Sequence, residues 1–205
     1  MFYKPSEPHG LRHNPFKALI APRPIGWISS LDEEGGVNLA PFSFFNAMAD
    51  NPPIVALGIN GNHPEGGAKD TLRNIERTGE FVCNMVTYNL RDGMNATSAL
   101  VPRAVNEFEL AGLTPTPSEL VKPPRVLESS AHLECVYWKT LDLPSNDPNH
   151  KNSMLLGEVI GIHISDDILT DGMVDMTKYQ PLARLGYMDY CYVNNAFSLN
   201  RPGED

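Results

Sequence analysis

The residues best suited to chemistry in this sequence are few and local. Lys69, Asp70 and Thr71 stand where a Gly-rich loop, GINGNHPEGGAKDT, runs into DTLRNIERTGEF, a segment patterned as a helix. A helix start presents free backbone N–H groups, and an ammonium and a hydroxyl beside them outline a seat for a phosphate monoester. The same residues also read as an ordinary capped helix with a solvated lysine. The loop is not G-x-x-x-x-G-K-S/T, and no G-x-G-x-x-G follows a strand, so nucleoside triphosphate and Rossmann readings have little support. A second unusual stretch is APRPIGWISSLDEEGGVNLAPFSFFNA, which sets Asn38, Ser43 and Asn46 among aromatic and small residues. That is odd chemistry for a plain core strand.

Other chemistries lack their residues. The six histidines form neither H-E-x-x-H nor a tight cluster with carboxylates, and no metal site is expected. There is no G-x-S-x-G, and Cys83 lies within a strand pattern with no evident base, so its thiol reads as packing. Asp32, Glu33 and Glu34 sit on a turn and read as solvated surface. Trp27, Phe42, Phe44 and Phe45, taken singly, read as core.

The elements that must position these groups are mostly strands. RPIGWISS and VNLAPFSFFNAM read as two arms of a hairpin turned at LDEEGG, with Pro41 marking an edge, a bulge or a strand that breaks where something docks. PPIVALGI and FVCNMVT read as buried strands flanking a helix, with Asp70 or Thr71 at its cap, Leu72 and Ile75 on its inner face and Gly79 as its stop. A further helix is expected near Leu90 to Leu100, followed by an extended surface excursion. SAHLECVYWKTLDL and NSMLLGEVIGIHIS are long strands around the loop PSNDPNHK, and the tail is irregular with a final strand. Regular β-α-β alternation is missing, so the class is mainly β with inserted helices, a barrel rather than a doubly wound sheet.

Composition bounds the rest. With 205 residues, 41% hydrophobic and 20% charged, the chain suits one sizeable domain over 1–205. A net charge of −9 without clustered Lys and Arg argues against nucleic-acid binding. The three separated cysteines read as buried thiols in a reducing compartment. No signal-peptide pattern and no long apolar run is present, so a cytoplasmic protein without a membrane partner is expected, and the N-A-T triplet at Asn95 carries no meaning.

Taken in order and spacing, the blocks APRPIGWISSLDEEGGVNLAPFSFFNAMADNPPIVALGI, KDTLRNIERTGEFVCNMV, NEFELAGLTPTPSELVKPPRVLES, HLEC and PLARLG resemble the flavin reductase-like family of FMN-binding split-barrel proteins, near its flavoredoxin branch. The likeness covers residues 10 to 202. It implies a split β-barrel, a homodimer and FMN held near the subunit interface. A flavin ring needs an apolar wall and backbone donors, while ribityl and phosphate need hydroxyls, amides and a cation. The resemblance therefore implies ring contacts from Ala40, Pro41, Phe45 and Ala47, and polar contacts from Asn38, Ser43 and Asn46. Ser29 and Ser30 would meet the ribityl or phosphate end, and Lys69, Asp70 and Thr71 the phosphate. NADH or NADPH is the implied electron donor; the flavin does the redox chemistry, so no catalytic side chain is expected. An electron carrier without a nicotinamide site, and an assembly module without cofactor, remain the alternatives. Where the family often has a second Gly after Arg-Leu-Gly, this chain has Tyr187, which would narrow a pocket or cover a subunit contact. Arg184 would brace the ring or the interface.

Overall fold

The computed structural model describes residues 1–203. Seven strands build the main sheet: β1 (Gly26–Leu31), β2 (Val37–Phe42), β3 (Phe45–Asp50), β4 (Pro53–Asn60), β5 (Glu80–Met85), β6 (Ala131–Leu143) and β7 (Asn152–Ile164). Their spatial order is β2-β1-β5-β6-β7-β4-β3, antiparallel throughout. The two edges, β2 and β3, are consecutive in the chain and separated only by Ser43 and Phe44. Two linking residues reach at most about 11 Å, so the sheet has to curl until its edges meet. The result is a barrel split beside this link.

This corrects the expected hairpin arm. VNLAPFSFFNAM is not one returning strand but two, because Phe44 leaves the first pairing to dock on the opposite edge. The Gly58 N–H donates to the Phe44 carbonyl at 2.7 Å. A Cβ at Gly58 would lie 2.8 Å from Phe44 Cβ, so the crossing requires glycine there. Pro41 lies in edge strand β2, opposite Trp27. The Leu39 N–H of that strand points away from the sheet, and its alternate neighbour Pro41 shares that outward side, where a missing N–H costs no ladder bond.

Helix α1 (Asp70–Thr78) plugs one end of the barrel. Leu72 and Ile75 are buried, and Gly79, at φ 79°, ends the helix by donating its N–H to the Ile75 carbonyl at 2.9 Å. Its N-cap is Lys69 rather than Asp70 or Thr71, and no side chain caps it. Inside the barrel, Leu72 and Ile75 join Ile28, Leu57, Phe81 and Leu155 in the main core. Cys83 and Cys135 belong to the same cluster as free thiols, and burial pushes the Cys83 thiol well up.

A second core forms on the outer face around Trp27, which is fully buried and donates its indole N–H to Thr97 Oγ1 at 2.8 Å. Leu39, Met94, Phe108 and Val126 complete it. The helix expected near 90–100 is α2 (Arg91–Ala96). The expected extended excursion holds a helix as well, α3 (Glu107–Ala111), capped by the Asn106 side chain, which accepts from the Phe108 N–H. The tail returns as Leu182–Arg184, paired with both Arg23–Pro24 and Tyr190–Tyr192. Among the described residues, no helix is long and apolar enough to cross a membrane.

Candidate functional site

A groove runs along edge strand β2. At one end is a cavity of about 110 Å³ between Asn38–Phe42, the start of α1 and the segment 97–101 that follows α2. The strand supplies Ala40 and Pro41, small or rigid residues that leave the backbone approachable. α1 supplies Lys69, Asp70 and Thr71. These three are together because the loop 62–68 folds back on itself, with the His63 N–H donating to the Gly67 carbonyl at 3.0 Å, and delivers the chain to the helix start.

Each of the three has a different environment. Lys69 is half-buried, its pKa lowered by desolvation, and among the described residues no carboxylate pairs with its ammonium. The Thr71 hydroxyl accepts from Asn38 Nδ2 at 3.0 Å, which links β2 to the helix across the cavity. Asp70 is already engaged. Arg103 pairs with it, and His63 Nε2 and Arg73 Nη2 lie 3.3 Å from its oxygens. Arg103 also donates to the Gly66 carbonyl at 2.7 Å, so Asp70 acts as the hub that fixes the loop and the cation cluster.

Glu107 closes the cavity from α3. Its Oε2 accepts the outward Leu39 N–H at 3.1 Å, while burial raises its pKa against the lowering effect of that bond. A carboxyl whose charge is disfavoured is a tolerable neighbour for an anion.

Further along β2 the groove continues as a second cavity of about 120 Å³, which shares Pro41 and Ser98 with the first and adds Ile25, Ser43, Met94, Arg184 and Tyr190. Arg184 lies across the strand pair from Arg23. Arg23 is buried, held by the carbonyls of Lys17, Ile20 and Leu185, and its pKa is lowered by burial and by the Arg184 charge. Arg184 donates to the Tyr190 hydroxyl and the Tyr187 carbonyl. Neither guanidinium has a carboxylate partner among the described residues, so this end of the groove is electropositive in a chain of net charge −9.

The structure thus brings Asn38, Ala40, Pro41, Ser43, Lys69, Asp70 and Thr71 to one groove. It places the other expected residues elsewhere. Ser29 is fully buried, donates to the Pro124 carbonyl at 2.5 Å and accepts from Asn84 Nδ2 at 3.2 Å. Ser30, also fully buried, lies 3.4 Å from Asn74 Nδ2. Phe45 packs against the main core, and Asn46 and Ala47 are exposed along edge strand β3. Tyr187 lines neither cavity. Its φ of 56° is the left-handed conformation that favours Gly, and its ring lies 5.5 Å from that of His13, tilted by 50°. His63, Arg103, Glu107 and the segment 97–101 belong to the site but were not singled out from sequence.

A family model described as flavin reductase like domain matches residues 19–183. A protein of Aquifex aeolicus, described as uncharacterised, is 40% identical over 169 residues, 82% of this chain and 83% of that one. Among solved structures, nitrilotriacetate monooxygenase component B from Bacillus cereus is 30% identical, with a TM-score of 0.88 over 97% of this chain and 98% of its own. The 2-nitrobenzoate 2-nitroreductase NbaA of Pseudomonas fluorescens is 29% identical, with a TM-score of 0.80 over 92% of this chain and 89% of its own. The chain therefore belongs to the flavin reductase like family, and its fold is that family's split barrel.

Proposed function

We propose that the protein is an NAD(P)H-dependent flavin reductase that holds FMN along the β2 groove, with the phosphate at Lys69 and Thr71 and the ring toward Ser43 and Arg184. One observation carries this reading: a half-buried ammonium with no counter-ion among the described residues stands beside a hydroxyl at a helix start. A phosphate monoester meets that chemistry, since it brings the missing charge and accepts from Lys69 and from the first N–H groups of α1. The fit extends along the groove. Ala40 lets a flat ring approach the strand, Pro41 presents no N–H to leave unpaired, and Arg184, with the buried Arg23 opposite it in the strand register, places positive charge at the far end.

A flavin bound there would supply two-electron redox chemistry. The chain's part is positional. Lys69, Thr71 and Asn38 fix the phosphate end, the 97–101 segment covers the groove, and Arg184 stabilises negative charge at the ring end. The family match supports this reading, as do the names of the relatives, a monooxygenase component B and a nitroreductase.

The functional unit in this proposal is a homodimer. Trp138 and Ile162 are each 61% exposed on neighbouring long strands, and β3 presents an open edge near the groove. Exposed apolar strands and open edges are features that symmetric pairing covers. The test is the visible spectrum of the purified protein, the identity of the released flavin, and anaerobic bleaching by NADH and NADPH, with sedimentation run alongside. A yellow FMN-holding dimer that is bleached by one of the nucleotides is expected. Flavin that neither nucleotide bleaches would make the protein an electron carrier, and colourless protein that ignores added FMN would refute the site.

A further inference from the structure

Beyond Arg184 the groove opens into a third and wider cavity of about 370 Å³. Met94, Arg184 and Tyr190 line both this cavity and the ring end of the groove, so the two adjoin. Its walls carry two cation–aromatic stacks. The Arg91 guanidinium lies 4.4 Å from the centre of the Tyr88 ring, and the Arg184 guanidinium 4.4 Å from that of Tyr190. Tyr192 extends the first stack, its ring 4.4 Å from Tyr88 and inclined by 35°.

These groups come from distant parts of the chain, its middle and its tail. The Tyr88 N–H donates to the Gln180 carbonyl at 3.1 Å, which ties the start of the α2 segment to the returning tail. Register then sets Tyr190 opposite Arg184 and Tyr192 opposite Leu182. The charge at the cavity is unbalanced. Asp92, largely exposed, lies 3.4 Å from Arg91, and among the described residues no carboxylate pairs with Arg184 or Arg23 behind it.

We propose that this cavity binds a planar aromatic carboxylate. Tyrosine faces favour a flat ring, and a guanidinium fork matches a carboxylate in shape and charge. A volume of about 370 Å³ suits one substituted ring and is too small for a dinucleotide. The Arg91–Tyr88–Tyr192 stack and the Arg184–Tyr190 pair both line the cavity, so the carboxylate meets Arg91 or Arg184 while the ring lies against Tyr190 or Tyr192. The site rests on the flavin reading only for its significance, because it places the acid next to the ring end of the groove. Its ability to bind the acid does not require the flavin.

The experiment titrates benzoate, benzamide and cyclohexanecarboxylate into the protein, both FMN-loaded and FMN-free, by calorimetry. The visible difference spectrum of the bound FMN is followed in the loaded samples. Benzoate is expected to bind in both samples and to perturb the FMN spectrum. Benzamide, lacking the charge, and cyclohexanecarboxylate, lacking the flat ring, should each bind about tenfold or more weakly. Arg91→Gln and Tyr192→Leu, made separately, should each weaken benzoate by about tenfold. Absence of benzoate binding, equal binding of benzoate and benzamide, or full binding retained in both variants would overturn the proposal. Protein that binds benzoate but holds no FMN would count against the flavin reading and leave the acid site standing.

Discussion

Replacing Lys69 with Ala tests the phosphate assignment directly. The ammonium is half-buried and, among the described residues, has no carboxylate partner, so a bound phosphate would be its counter-ion and would receive a charge-assisted hydrogen bond. Such a bond contributes about 1.5–3 kcal/mol, which weakens FMN binding roughly 10- to 150-fold when it is lost. The ring end is untouched by the change, so protein saturated with FMN should still be reduced at a near-normal rate. Desolvation lowers the Lys69 pKa from 10.5 in the free protein, whereas a bound dianion favours the charged form and raises it. Binding is therefore linked to proton uptake on the alkaline side, and wild-type affinity should fall as pH rises through the lowered pKa. Lys69→Ala should lose that alkaline limb, and Lys69→Arg should keep its charge to higher pH. Riboflavin, which has no phosphate, should bind both forms alike. The assay is FMN and riboflavin titration by flavin fluorescence from pH 7 to 10, with anaerobic reduction at saturating FMN. A Lys69→Ala protein that kept its FMN affinity, lost riboflavin equally or lost only rate would refute the orientation of the cofactor along β2.

The remaining predictions concern the groove and the frame that holds it. Glu107→Gln, which keeps an oxygen for the Leu39 N–H, should bind FMN a few-fold more tightly than wild type on the alkaline side of the raised Glu107 pKa, where the wild-type carboxyl is charged; an unchanged titration would place the phosphate away from Glu107. His132 is buried near Arg125, Glu134 and His163, and desolvation takes its pKa from 6.5 to about 4. A folded-state pKa below the unfolded one means that the associated stability is complete above pH 6.5 and is lost as pH falls toward 4, about 3 kcal/mol in all. Urea unfolding at stepped pH should show that acid limb and its reduction in His132→Gln, and a flat profile would be contrary. Gly157→Ala should cost about 1–3 kcal/mol in the same assay, because a Cβ there would overlap the Phe81 ring beside the Leu156/Gly157 register shift.

What the sequence disclosed follows the range of the interactions involved. The α1 helix, its Gly79 stop and the loop that delivers Lys69 and Thr71 are local patterns, and each is where the sequence placed it. The two long strands β6 and β7 were equally legible from their β-branched and aromatic content. The break at Ser43–Phe44 was only half legible: Pro41 allows for an interrupted strand, but nothing within VNLAPFSFFNAM says where the second half docks. The cause is Gly58, which alone permits Phe44 to lie on the opposite edge. A strand read in isolation cannot show where a sheet will curl back on itself.

Ser29 and Ser30 show the same limit within the candidate site. Their hydroxyls looked free for a ligand because their partners lie far away in sequence: Asn84 and Pro124 for Ser29, Asn74 for Ser30. Buried hydroxyls require such partners, so a polar residue within a central strand is as consistent with a tie to a distant loop as with a ligand contact. Edge strand β2 differs in kind. Its outward groups have no neighbouring strand, and the chain meets them with a carboxyl at Leu39, a proline at position 41 and, between them, a groove. The polar residues that reach that groove, Asn38 and Ser43, are those at or beyond an unpaired edge. Position in the sheet, more than residue type, separates groups that hold the barrel together from groups left free to hold something else.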